Sequence, residues 1–131
     1  MRFAGPVSKA TIGEVYAELD ALVLALGTGR YVTSGKVYEY AATGMPIVAV
    51  HEPSNAATEV LLDSPVCTPV RSLASGDIAD ALSRAGAMAM TQTPAERVAA
   101  QEWAARYGRA AQLVPRIDAL TSLVASRESS L

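Results

Sequence analysis

The strongest constraint in this sequence is the passage from a helix into a strand at Gly44 to Pro46. Apolar side chains between Lys36 and Thr43 recur at helical spacing, so one face of a short helix can pack on a core. Gly44 ends that helix because glycine adopts the left-handed conformation at low cost, and Pro46 prevents its return. The apolar run Ile47 to Val50 is typical of a strand that is buried on both faces. This passage predicts a fold of the α/β class.

Strands and helices alternate on both sides of this passage. Alternation of this kind produces a parallel sheet whose strands are joined by crossover helices. We therefore predict one domain over residues 1–131, with a Rossmann-like open parallel sheet of about four strands and flanking helices. The predicted strands are Arg2 to Gly5, Ala21 to Leu26, Ile47 to Val50 and Val66 to Val70, and the helices between them are Ile12 to Leu19, Lys36 to Thr43 and Ala56 to Leu62.

The last third of the chain is predicted to be a long helical segment. Asp77 is placed to cap one helix, and Pro94 stands at a first helical position, where proline is tolerated. The helix from Glu96 to about Ala111 is expected to end or bend at Gly108. The side chains predicted to pack this helix on the core are Val98, Trp103 and Tyr107. An amphipathic stretch follows from Leu113 to Val124, and the end of the chain, Ser126 to Leu131, is predicted to be frayed.

Composition excludes several classes of function. Half of the 131 residues are apolar and the net charge is −2, so a nucleic-acid partner is not expected. The lone cysteine, Cys67, cannot form an internal disulfide or a cysteine-built zinc site. No apolar segment approaches the roughly 20 residues of a membrane span. These features predict a soluble, cytoplasmic domain.

The loop after the second predicted strand, Gly27 to Lys36, is rich in glycine but matches neither common nucleotide motif. A phosphate loop has four residues between its glycines and Ser or Thr after its Lys, whereas here five residues separate Gly29 from Gly35 and Val37 follows Lys36. The dinucleotide fingerprint lacks its third glycine. The lone histidine, His51, is predicted to be an ordinary surface residue and Cys67 a small core residue.

The segment SGKVYEYAATGMPIVAV (residues 34–50) resembles the nucleotide-sugar-binding signature of GT-B glycosyltransferases, and weaker similarity extends along most of the chain. The resemblance implies that Glu39 accepts hydrogen bonds from the ribose hydroxyls of a nucleoside diphosphate sugar. It also implies that the loop from Thr33 through Ser34 and Gly35 to Lys36 contacts the diphosphate or the sugar. Tyr31 stands where many members carry a sugar-binding acid. The family generally uses no bound metal or cofactor.

The resemblance covers the latter part of one of the family's two domains. It implies that the chain is the C-terminal, donor-binding part of an enzyme of carbohydrate biosynthesis, inactive without its acceptor domain. The implied partners are the donor, that missing domain and, for the whole enzyme, a membrane surface contacted peripherally. By the family's strand order, Arg2 to Gly5 would lack its neighbour and Ala21 to Leu26 would have a bare edge. We expect self-association through that edge, or a rearrangement that pairs it with Arg2 to Gly5.

Two other functions are consistent with the same architecture. A nucleotide-sugar epimerase would share much of the ribose site with a glycosyltransferase. A non-catalytic receiver-type module would fit the length of the chain. It requires a phosphorylatable Asp at the carboxyl end of a strand, whereas Ala21 to Leu26 is followed by Gly27 and Ile47 to Val50 by His51.

Overall fold

The computed structural model describes residues 2–26 and 35–130, and a three-stranded parallel sheet lies at the centre of this part of the chain. The strands β1 (Leu22–Ala25), β2 (Ile47–Val50) and β3 (Cys67–Pro69) are arranged in the order β1-β2-β3. This confirms the predicted α/β class and the open parallel sheet. The helices are α1 (Ile12–Ala17), α2 (Gly35–Thr43), α3 (Ala57–Leu61), α4 (Ser75–Thr91), α5 (Pro94–Ala105) and α6 (Arg109–Ser129).

The central strand, β2, separates two apolar clusters because successive side chains of a strand point to opposite faces. Ile47 and Ala49 pack with side chains of β1, α2 and α3 on one face, including Leu24, Val37 and Leu61. On the other face, Val48 packs against α4. The small side chains of that helix, Ala81 and Ala85, are almost fully buried there together with Val70.

The carboxyl end of α2 is closed by side chains from α5 and by Gln92, which follows α4. A helix leaves its last carbonyl groups without partners inside the helix. Here Arg97 Nε and Gln101 Nε2 donate to the carbonyl of Thr43, at 3.2 and 3.1 Å. Gln92 Nε2 donates to the carbonyl of Gly44 at 2.7 Å. These contacts between residues far apart in sequence fix the turn that leads into β2.

Two helix boundaries lie where the sequence predicts them, at a proline and at a glycine. Pro94 opens α5, where Thr93 and Glu96 form a reciprocal capping box. Gly108 directly precedes α6, so the helix predicted from Glu96 to about Ala111 is interrupted near Gly108, as expected. The long C-terminal helix continues to Ser129, beyond Ser126, where fraying is predicted from the sequence.

Three predictions were wrong. Arg2 to Gly5 forms no strand: Phe3 is 91% exposed, and no neighbouring strand among the described residues completes a ladder there. The sheet therefore has three strands in the described part of the chain instead of about four. Asp77 lies in the first turn of α4, whose N-cap is Ala74. Val98 is half exposed, and α5 buries Ala100 and Ala104 instead, because its close approach to α2 leaves room for small side chains.

In the described part of the chain, no helix has the length and apolar content needed to cross a bilayer.

Replacement of Gly44 by alanine should destabilise the fold. Gly44 has φ +70°, and a Cβ atom there would lie 2.5 Å from the carbonyl oxygen of Arg97. The left-handed backbone alone costs a non-glycine residue about 1–2 kcal/mol, and the clash adds to that cost. We expect the free energy of unfolding of Gly44→Ala to fall by at least about 2 kcal/mol in urea titrations.

Gly86→Ala is the matched control, since Gly86 lies within α4 and a Cβ there meets no atom within 4 Å. This replacement should stabilise the chain by about 0.5–1 kcal/mol. A Gly44→Ala protein as stable as the wild type would contradict the described contact between α5 and the end of α2.

The outer edge of β1 provides a second test. Leu22 N donates to the carbonyl of Pro46, directly before β2, at 2.8 Å, and Leu26 N donates to the carbonyl of Val50 at 3.1 Å. The amides of Val23 and Ala25 alternate with them and face away from β2. In a dilute sample we expect hydrogen exchange at Val23 and Ala25 to be much faster than at Leu22 and Leu26. Protection that grows at Val23 and Ala25 with protein concentration would indicate the self-association predicted for this edge.

Candidate functional site

The topology of β1, α2 and β2 places the start of α2 toward the carboxyl edge of the sheet. The chain leaves β1 at Ala25, and α2 ends at Thr43, with three residues between it and the first residue of β2. Because α2 returns to the amino end of β2, its first turns lie toward the opposite edge. Ligands of open α/β sheets collect at that carboxyl edge. Glu39 is on the second turn of α2, with 40% of its side chain exposed.

Three side chains from α1 and α2 lie around this carboxylate. Tyr16 Oη donates to Glu39 Oε1 at 2.5 Å, and Lys36 Nζ donates to the same oxygen at 2.9 Å. The ring of Tyr40 lies edge-on to the ring of Tyr16, with 6.1 Å between centroids, and 5.9 Å from Lys36 Nζ. We call these residues, Tyr16, Lys36, Glu39 and Tyr40, the Glu39 cluster. It joins α1 to α2 by polar and aromatic contacts.

The Glu39 cluster favours the ionised form of its carboxyl group. The hydrogen bond from Tyr16 and then that from Lys36 lower the pKa of Glu39 below its usual range. Partial burial and the bond to Glu39 raise the pKa of Tyr16, while the bond to Glu39 raises the pKa of Lys36. At neutral pH the cluster thus holds a carboxylate, a neutral phenol and an ammonium group.

The two oxygens of this carboxylate differ in their hydrogen bonding. Tyr16 Oη and Lys36 Nζ both donate to Oε1, and none of the residues in 2–26 and 35–130 donates to Oε2. An ionised carboxylate accepts hydrogen bonds and donates none. The exposed cluster can therefore bind a group that carries hydroxyl or amide donors, with Tyr16 and Lys36 holding the carboxylate in position.

The structure describes three of the six predicted site residues. Gly35 is the first residue of α2, and Lys36 and Glu39 are paired one turn apart. The other three, Tyr31, Thr33 and Ser34, lie outside the described residues. Lys36 and Glu39 are in contact, and their role in binding a ligand stays a prediction.

The sequence analysis missed Tyr16, which lies in the predicted helix Ile12 to Leu19 and was not among the predicted site residues. In the structure this side chain is half-buried and its hydroxyl contacts Glu39, 23 residues later. The available signal was chemical: a tyrosine on a packed face needs a partner for its hydroxyl group. The identity of that partner depends on the tertiary fold.

His51 also differs from its prediction. It is 4% exposed, instead of lying on the surface, because α3 covers the end of β2. Its Nδ1 lies 2.9 Å from the carbonyl oxygen of Glu52, so Nδ1 must be the donor. Nε2 is buried and has no partner in the described part of the chain. The side chain lines a cleft of about 90 Å³, too narrow for a nucleotide.

Cys67 lines the far end of the same cleft. Burial raises the pKa of this thiol to about 11, which makes it a poor nucleophile at neutral pH. It packs against the apolar cluster below α3, as the sequence predicts for a small core residue.

Among the described residues, no three His, Cys, Asp or Glu side chains are grouped to hold a metal ion.

A larger hollow, of about 320 Å³, lies at the opposite edge of the sheet. Val66, which precedes β3, lines it together with residues from the junction of α4 and α5, such as Met88 and Gln92. This position separates it from the start of α2, so it is not part of the Glu39 site.

Comparison with known proteins found no matching family model, no similar curated protein and no similar solved structure.

The contact between Tyr16 and Glu39 can be tested by titration. Loss of the phenol donor in Tyr16→Phe should raise the pKa of Glu39, measured by carbon-detected NMR of the carboxyl group. The folded pKa of Glu39 lies below its unfolded value of about 4.3, so this stabilisation is present above that value and is lost as the pH falls. Tyr16→Phe should therefore lose less stability than the wild type when the pH falls from neutral through the folded pKa of Glu39.

Tyr38→Phe is the control, because Tyr38 lies on α2 and its ring contacts Tyr107 instead of Glu39. Its Glu39 should titrate as in the wild type. An unchanged pKa in Tyr16→Phe would show that the phenol does not hold the carboxylate in solution.

Proposed function

We propose that this chain binds the nucleoside part of a nucleoside diphosphate sugar and serves as the donor-binding part of a glycosyltransferase. The observation that carries the proposal is the Glu39 carboxylate near the start of α2, held through Oε1 while none of the described residues donates to Oε2. The sequence around it, from Lys36 to Val50, resembles the family's nucleotide-sugar signature.

The chemistry of a ribose fits this carboxylate. The 2′ and 3′ hydroxyl groups are adjacent donors, and an ionised carboxylate accepts several hydrogen bonds. Oε2 takes the first hydroxyl, while the second reaches either Oε2 or the free side of Oε1. Because Tyr16 and Lys36 already orient the group, less side-chain freedom is lost when the ligand binds.

The start of α2 is suited to the charged part of the same ligand. The first amides of a helix have no partners inside it and favour anions, so the turn that begins at Gly35 can face a diphosphate. The ammonium group of Lys36 lies in this turn and adds positive charge close to the ribose position. A nucleotide would thus extend from Glu39 toward the amino end of α2.

The proposal assigns binding to this chain and leaves the catalytic groups to the rest of the enzyme. The donor is a substrate, and no cofactor is required. We expect the 131-residue chain to bind nucleotides weakly and to transfer no sugar, because the part of the family that it resembles does not include the acceptor domain.

The test is a binding series on Glu39→Gln. Loss of hydrogen bonds to a charged acceptor costs roughly 1.5–3 kcal/mol, so the dissociation constant of the preferred nucleoside diphosphate should rise about ten- to a hundredfold. Binding is measured by NMR titration with the diphosphates of adenosine, guanosine, cytidine and uridine. A 2′-deoxy analogue of the preferred ribonucleotide should bind the wild type more weakly but Glu39→Gln nearly as well as the parent nucleotide.

Glu59→Gln is the control, since Glu59 is an exposed acid on α3 outside the Glu39 cluster. It should bind like the wild type. Absence of binding to every nucleoside diphosphate, or equal affinity of the wild type and Glu39→Gln, would refute the proposal.

A further inference from the structure

The C-terminal helix, α6, presents an apolar surface with no cover. It is 21 residues long, about 31 Å, and every one of its side chains that the structure describes is exposed. Large apolar side chains on this helix remain 46–63% exposed: Leu113, Val114, Ile117, Leu120, Leu123 and Val124. A contiguous exposed apolar patch of this kind marks an interaction surface.

The spacing and identity of these residues indicate the partner. Leu113, Ile117, Leu120 and Val124 alternate in steps of four, three and four, which is the spacing of d, a, d and a positions in heptads. Leucine occupies both d positions and β-branched residues occupy both a positions. This combination favours two parallel strands over trimers and tetramers.

We propose that α6 pairs with α6 of a second copy of this chain to form a parallel two-stranded coiled coil. The seam runs from Leu113 to Val124. Val114 and Leu123 lie beside it, at e and g positions, and widen the apolar contact. A hollow lined only by α6 residues, including Leu120, Thr121 and Val124, is placed to receive a side chain from the facing helix.

The polar residues of α6 are compatible with this pairing. Asp118 and Ser122 fall at b and f positions, outside the seam. In a parallel pair Arg116 at g faces Thr121 at e of the partner, and Leu123 faces Glu128, so no like charges oppose one another at these positions. Arg127 at the next d position ends the apolar seam.

Pro115 lies inside the helix at an f position, on the side away from the seam. It removes one backbone hydrogen bond near the amino end of α6 but places its ring outside the contact. The surface available also fits a dimer: six apolar side chains on each helix, about half exposed, bring roughly 1,000 Å² into the contact, near the lower limit for a specific interface.

The charge of α6 favours a second copy over a membrane surface. Helices that lie on membranes carry many basic residues on their polar face. α6 carries three arginines, Arg109, Arg116 and Arg127, against two acids, Asp118 and Glu128, so its polar face carries both signs of charge and is not rich in basic residues. Self-association therefore explains this apolar stripe better than membrane binding does.

The test compares three full-length chains by sedimentation equilibrium across micromolar concentrations. The wild type should dimerise, and the double variant Ile117→Glu, Leu120→Glu should dissociate at least a hundredfold more readily. Ser122→Glu adds charge at an f position and should dimerise like the wild type. Circular dichroism checks that the variants retain their helices, which is expected because the replaced side chains are exposed.

A second measurement fixes the orientation. In a Cys67→Ser background, Arg127→Cys places a thiol at a d position, and Ser122→Cys places one outside the seam. In a glutathione redox buffer, the chain with Arg127→Cys should crosslink to its copy much more than the chain with Ser122→Cys. A monomeric wild type, a dimer that survives the double glutamate change, equal crosslinking, or binding to lipid vesicles through this stripe would overturn the proposal.

Discussion

The structure depends first on the burial of β2 on both faces. Ile47 and Ala49 are covered by α2 and α3, while Val48 is covered by α4. A strand with apolar side chains on both faces needs a layer on each side, so the helices must divide between two layers. The parallel order β1-β2-β3 then places the ends of all three strands, and the starts of the helices that follow them, at one edge.

The second constraint is the closure of α2 by α5. The end of α2 and the start of β2 are separated by Gly44, Met45 and Pro46, all of them buried. Buried backbone groups require hydrogen-bond partners. Side chains of Gln92, Arg97 and Gln101 supply them, and the glycine leaves the space that α5 occupies. The C-terminal half of the chain thereby holds the helix that carries the candidate site.

The sequence predicted what local patterns encode and missed what depends on distant neighbours. The limits of β2 were correct because its β-branched run lies between breakers. Arg2 to Gly5 also contains apolar residues, Phe3 and Ala4, but a strand exists only where another strand completes its hydrogen bonds. Val98 was an expected anchor, yet the short distance between α5 and α2 selects Ala100 and Ala104. Likewise, Glu39 was identified from its sequence context, whereas the contact with Tyr16 requires the docking of α1.

That contact also links the position of α1 to the state of the site. α1 has six residues and no buried side chain, so the apolar core holds it weakly. Its contacts with α2 include the bond from Tyr16 to Glu39 and the edge-on packing of Tyr16 on Tyr40. A ligand that uses Oε2 leaves both contacts in place and adds to the order of α1. A ligand that takes Oε1 from Tyr16 would remove the polar contact and loosen this helix. The two binding modes therefore differ in their effect on α1, and the first has the lower energetic cost.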